Sequence, residues 1–226
     1  MRRAAPPGCF FFLLLAYAGR VQAEIPGAQL VLEVLRSGSP GRYPEAAPPR
    51  FVLLEKGGQF FVGGSRDIAA GRLDSAELKA MEARVARIRK LQGLGSQVAF
   101  GGGPGRYRLQ LLGKRPLEIV ATGEPQSAPQ SLQPLAALLA ELADFDHPSL
   151  RFVKVESFLL VAREGALAGG CRRWSFGFAP GEAGTGRVVP AAAAADWPQG
   201  TAAASACAGA QRYVVTLRPL LPGERP

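Results

Sequence analysis

The sequence predicts an α+β protein in which antiparallel, strand-rich sheet layers pack against two amphipathic helices and a strand-rich C-terminal region follows. Three observations carry that expectation. Short apolar runs are separated by Gly-bearing turns, two longer segments repeat apolar residues at intervals of three and four, and the order hairpin then helix occurs twice. A helix with one apolar stripe must bury it against a second layer, and the face of a sheet supplies one.

Residues 1–23 stand apart from the fold as a cleaved secretory signal. Arg2 and Arg3 form a short positive start, Cys9 to Ala18 is an apolar run, and Val21-Gln22-Ala23 presents small residues at the positions a signal peptidase reads. Cutting after Ala23 is the expected outcome, with Ala16-Tyr17-Ala18 a second small-residue site five residues earlier. As a helix the apolar run rises only about 15 Å, half of a hydrocarbon core, so no transmembrane anchor is expected after cleavage. The protein is then secreted or periplasmic. Residues 24–146 read as the α+β domain, and 147–226 as the C-terminal region, either continuing that domain or forming its own core.

Gln29 to Leu35 reads as a largely buried strand, and a loop rich in Gly and Pro follows at 37–49. Arg50 to Glu55 and Gln59 to Val62 flank Lys56-Gly57-Gly58, a connection suited to a hairpin because glycine accepts positive φ without a Cβ clash. After a short segment around Ile68, Asp74 is placed to cap a helix with Glu77 three residues on, the reciprocal pattern of a capping box. Leu78, Met81, Val85 and Ile88 make its apolar stripe, and the helix should end near Gly93. Gln97 to Phe100 and Arg106 to Leu112 are strand-like around Gly101 to Gly105, read as a hairpin turn, and Leu117 to Ala121 is a further strand. The second helix is expected from about Ser131 to Ala143, with Leu132, Leu135, Leu138, Leu139 and Leu142 on one face.

Asp146-His147-Pro148-Ser149 is a turn, since proline cannot continue the helix before it. Ser157 to Arg163, Arg172 to Phe178 and Gln211 to Leu217 are strand candidates, with one helical turn at 191–195 stopped by Trp197-Pro198. Cys171 and Cys207 remain once the leader has gone, and in an oxidising compartment an isolated pair is expected to be a disulfide. It would tie the strand at 172–178 to the approach of the last strand.

The composition of 226 residues, 47% hydrophobic, 20% charged and 8% aromatic, is that of a globular protein and excludes collagen, coiled coil and multispan membrane protein. Without the leader the chain has 24 basic against 18 acidic residues, a net of +6. Arginine outnumbers lysine about four to one amid abundant Ala, Gly and Pro, as a GC-rich coding sequence would produce, and the twice-seen order of hairpin then helix resembles exported bacterial domains. Two basic clusters, Arg84 and Arg87 with Arg89 and Lys90, and Arg106 and Arg108 with Lys114 and Arg115, read most simply as the solvated face of a helix and the outward face of a hairpin. They are also the candidate patch for an acidic protein, an anionic envelope glycan or a lipid headgroup. Nucleic acid is not an expected partner, because Tyr107 alone interleaves aromatic character with the cations.

Most chemistries lack their residues. No metal or other cofactor is expected, since His147 is the sole imidazole and the two cysteines are paired. A thiol nucleophile with His147 as base would leave one cysteine unexplained, and a Ser-His-acid site using Asp144 or Asp146 lacks the Gly-x-Ser-x-Gly elbow. Gly101 to Gly105 does not lead into a helix, as a phosphate loop must. The acids Glu33, Glu55, Glu118, Glu156 and Glu164 could supply a carboxylate pair, but read more simply as surface groups. Trp174 and Trp197 flank the cysteines, for packing against the bridge or for stacking a ligand. The expected function is an exported noncatalytic binding domain. A secreted enzyme inhibitor acting through the 37–49 loop, or a carboxylate-dependent secreted hydrolase, are the alternatives.

Overall fold

The structure, a computed structural model, describes residues 24–35, 48–64, 67–165, 167–198 and 200–225. The leader and most of the loop at 37–49 lie outside the described residues. The chain is α+β, and the described residues form two mostly antiparallel sheets and three α-helices.

Eight strands form the first sheet: β1 (Ala28–Val34), β2 (Phe51–Leu54), β3 (Gln59–Gly63), β4 (Ile68–Arg72), β5 (Gln97–Gly101), β6 (Arg106–Leu111), β7 (Leu117–Gly123) and β8 (Arg151–Val153), in the spatial order β5-β7-β6-β1-β2-β3-β4-β8. Side chains alternate across it as the two-residue period requires. Leu30, Leu32, Phe51, Leu53, Phe60, Val62, Leu109 and Leu111 face one side. There they meet Met81 and Ile88 of α1 (Ser75–Ile88) and Leu135, Leu138, Leu139 and Leu142 of α2 (Gln133–Ala143). Val31, Val52, Phe61 and Ile68 face the other side and pack with Ile25, Ala28 and Leu221.

Helix α1 begins as expected. Asp74 accepts from the N–H groups of Ala76 and Glu77, both at 2.8 Å, and Glu77 accepts from the Asp74 N–H at 2.7 Å. It ends earlier than Gly93, because the N–H groups of Lys90 and Leu91 bond three residues back and tighten the last turn. Its course is set at both ends. The Leu73 N–H bonds to Gly58 at the β2–β3 turn, and Arg89 donates to the carbonyls of Leu111 and Leu112 at the end of β6, so the helix crosses the strands from β4 toward β6. At the far end of α2, Arg50 donates to the carbonyls of Ala143 and Phe145, satisfying acceptors that the helix itself cannot.

The hairpin expected around Gly101–Gly105 does not form. β5 pairs in parallel with β7, which separates it from β6, and the hairpin of this half is β6–β7 through residues 113–116. The glycines serve a chain crossing instead. A Cβ on Gly123 would stand 2.2 Å from the Gly101 carbonyl oxygen, and one on Gly105 2.6 Å from that of Gly123, so the connection passes over the end of β7 only without side chains.

The second sheet has the order β10-β12-β13-β9-β11, from β9 (Ser157–Glu164), β10 (Arg172–Arg173), β11 (Arg187–Pro190), β12 (Gly200–Ala208) and β13 (Gln211–Pro219), with the short α3 (Ala191–Ala194) after β11. It has its own core, centred on Phe158, Leu160, Trp197, Tyr213, Val215 and Leu217. The strand expected at 172–178 stops after two residues, because the following aromatic residues fold into a turn described below. The C-terminal tail joins the two sheets: Leu220 packs with Leu159 and Val161 of β9, while Leu221 packs on the first sheet.

Candidate functional site

The candidate basic patch is divided by the fold. Arg84 on α1 forms an ion pair with Glu141 on α2, and so serves helix packing. Arg106 and Arg108 alternate with buried Tyr107 and Leu109 on β6, which places them on the sheet face opposite the helices. Arg108 lies 2.8 Å from Glu118 and 3.5 Å from Glu33 across the adjacent strands, and Gln110 donates to the same Glu118 carboxylate at 3.1 Å. Partial burial works against the Arg108 charge, but the two glutamates outweigh it and raise its pKa above the ordinary guanidinium value.

Arg87, Lys114 and Arg115 are exposed. Between them in the fold is Arg89, just past the end of α1, whose guanidinium donates to the Leu111 carbonyl at 3.2 Å, to the Leu112 carbonyl at 3.1 Å and to the Arg115 carbonyl. One side chain thereby fixes the end of α1 against the β6–β7 turn, while Arg87, two residues earlier, projects from the other side of the helix. The sequence placed Arg89 among the surface cations; no local pattern could show that its partners would be carbonyls more than twenty residues on.

His147 is drawn into a structural cluster. The Ser149 N–H donates to its Nδ1 at 3.1 Å, so that nitrogen carries a lone pair and the proton of the neutral ring sits on Nε2. Nε2 then donates to Glu77 Oε1 at 3.1 Å, joining the turn before β8 to the capping box of α1. The Ser149 hydroxyl lies 2.7 Å from Nδ1, accepts from the Arg72 N–H at 2.9 Å and is 3.2 Å from the Arg72 carbonyl. Gly71 makes room for this cluster, since a Cβ there would meet the Phe60 ring at 2.4 Å and the Ser149 Oγ at 2.7 Å. Its two donors, the Asp74 N–H first and the His147 ring second, hold the Glu77 carboxyl below its ordinary pKa. His147 thus sits in the expected turn, with a side-chain partner at the start of α1.

Cys171 and Cys207 form a disulfide, with Cα atoms 5.7 Å apart, beside the parallel pairing of β10 and β12. Trp174 follows it, bonding its backbone N–H to the Cys207 carbonyl. The Trp174 ring packs edge-on against Phe176, Phe178 and Trp197, with centroids 5.0, 5.7 and 6.3 Å away. Its indole N–H donates to the Phe178 carbonyl, closing the turn that replaces the expected strand. The Trp197 indole donates to Ser175 Oγ, and the Arg187 guanidinium, paired with Glu182, sits 4.2 Å over the Phe178 ring. The rings pack on one another beside the bridge.

Among the described residues no three His, Cys, Asp or Glu side chains converge as a metal site, and no helix is long and apolar enough to cross a membrane. Comparison of the chain with family models, curated proteins and solved structures finds no match.

Proposed function

We propose that the chain is an exported binding domain without catalytic chemistry of its own, acting outside the cytoplasm through its surface. The observation that carries this reading is the use made of its one imidazole. His147 is engaged at both ring nitrogens by groups that belong to the fold, and its neighbouring hydroxyl is held by the Arg72 backbone. A general base needs a nitrogen lone pair aimed at the proton it removes. Here the Nδ1 lone pair faces Ser149. The disulfide, stable in an oxidising compartment, agrees with export, as does the leader read from the sequence.

The test is to cross-link the protein in its native exported fraction, identify what it holds, and incubate purified protein with that molecule. Retention of an unchanged partner, undiminished by His147→Gln in a variant that remains folded, is the expected result. Conversion of the partner, lost when one glutamate is replaced, would assign the carboxylate-dependent hydrolase instead.

A further inference from the structure

Glu24 and Arg225, at opposite ends of the described residues, are tied to each other. Glu24 donates its backbone N–H to the Arg225 carbonyl at 2.7 Å and accepts the Arg225 N–H at 2.8 Å, an antiparallel bridge. Ile25, the next residue, is buried with Leu221 of the tail on the face of the first sheet away from the helices, and the Ala28 N–H bonds back to the Ile25 carbonyl at 3.1 Å. The tail is held in turn by Glu224, whose buried carboxylate takes the Arg218 guanidinium and the Leu221 N–H. The sequence places the expected leader cut at the bond entering this bridge, between Ala23 and Glu24. The nitrogen of that bond is the one the Arg225 carbonyl engages.

A protease takes its substrate as an accessible, extended segment, so a bond whose backbone groups are already paired and whose neighbour is buried is cut only from an opened state. The second small-residue site, after Ala18, lies five residues earlier in the sequence and shares no group with the bridge. Resting on the export reading above, we propose that docking of the C-terminal tail closes the leader-processing site: signal peptidase hydrolyses the Ala23–Glu24 bond only while residues 220–225 are undocked. In that step the water oxygen bonds to the Ala23 carbonyl carbon as the C–N bond breaks, and both water protons end on the Glu24 nitrogen, leaving a carboxylate on Ala23. The new α-ammonium then donates to the Arg225 carbonyl, a charge-assisted bond stronger than the amide's. Contacts between opposite ends of a chain carry the largest loop-closure cost and form late, which leaves a window for the cut.

The experiment uses the full-length chain with its leader, unfolded in urea, and purified signal peptidase in detergent micelles. Enzyme is present either while the urea is diluted out or only after refolding is complete, and products are read by intact mass and N-terminal sequencing. Chain caught during refolding should give a product starting at Glu24, and the refolded chain should be cut at that bond at least about tenfold more slowly. Glu224→Gln, which frees the tail, should speed cutting of the refolded chain about tenfold, whereas Gly123→Ala, a comparable loss of stability at the β5–β7 crossing, should stay within about threefold of wild type. That pattern supports the proposal. Equal rates during and after refolding, or equal acceleration by the two substitutions, overturns control by the tail and leaves export and the binding-domain reading standing. A product starting at Gly19 overturns the assigned bond. Absence of cleavage under every condition overturns the proposal together with the leader on which export rests.

Discussion

Glu224→Gln tests how the two sheets are held together. Arg218, near the end of β13, and Glu224, in the tail, form a two-pronged ion pair whose side chains are 6% and 0% exposed. Glu224 also accepts the Leu221 N–H at 2.8 Å. Glutamine keeps the shape and removes the charge, stranding a buried guanidinium; if the tail stayed in place this would cost about 3 to 5 kcal/mol. Releasing residues 220–225 is a cheaper escape. It forfeits the burial of Leu220 and Leu221 and the bonds of the tail, and in return frees the tail backbone. The expected cost in urea unfolding is therefore about 2 to 3 kcal/mol, below that of a stranded charge. The Arg225 N–H, bonded to the Glu24 carbonyl at 2.8 Å, should lose its protection from hydrogen exchange at the same time. Leu221→Ala in the wild-type background should cost about 2 kcal/mol or more, and in the Glu224→Gln background less than about 0.5 kcal/mol, because the leucine has already left its site. Full additivity of the two substitutions, or a Glu224→Gln cost below about 1 kcal/mol, would refute the latch.

Replacing Cys171 and Cys207 by serine opens a loop with a sequence separation of 36 and should lower stability by about 4 kcal/mol in the chain-entropy picture, measured by urea unfolding with and without reductant. The intact mass should rise by two hydrogens on reduction of the wild type and not of the variant. Because the folded Glu77 pKa lies below the unfolded 4.5, its contribution is complete above pH 4.5 and is lost as pH falls through the lower folded value. Thermal midpoints of wild type and Glu77→Gln should therefore differ near neutrality and converge in acid; a constant difference to pH 3 would exclude the linkage. Gly123→Ala, at φ +99° with its Cβ against the Gly101 oxygen, should cost about 2 kcal/mol and deprotect β5 amides. Gly101→Ala, at φ +88° with open space around it, should cost about half as much.

What could be read from the sequence was local. Asp74 and Glu77 announce the start of α1 because a capping box closes within one turn, and the strands at 157–164 and 211–219 show their apolar residues directly. The β12 strand was hidden because its residues, mostly alanine, have weak strand preference. It exists through pairing with β13, and its small Ala206 lies fully buried in the second core. The alternation Trp174, Phe176, Phe178 imitates a strand, yet the indole bond to the Phe178 carbonyl folds it into a turn. The parallel pairing of β5 with β7 was hidden for another reason: the glycines that permit the crossing resemble those of a hairpin. At the candidate site, the exposed cations could be named from the chain, whereas Arg89 and Arg50 as ligands of strand and helix carbonyls, the His147–Glu77 contact and the Arg218–Glu224 pair all depend on elements brought together by the fold.

Those long-range contacts divide the polar residues into two populations with different consequences. Arg50, Arg89, His147, Arg218 and Glu224 complete hydrogen bonds that the fold would otherwise leave open, so their loss should appear first as instability. Arg87, Lys90, Lys114 and Arg115 support no described element with their side chains, so their loss should leave the midpoint of unfolding where it is. Arg89→Lys separates charge from geometry: it keeps the cation and loses the forked reach to the carbonyls from Leu111 to Arg115, so it should lower the midpoint of unfolding although the protein's charge is unchanged. An unmoved midpoint would mean that the end of α1 is held to the β6–β7 turn without it.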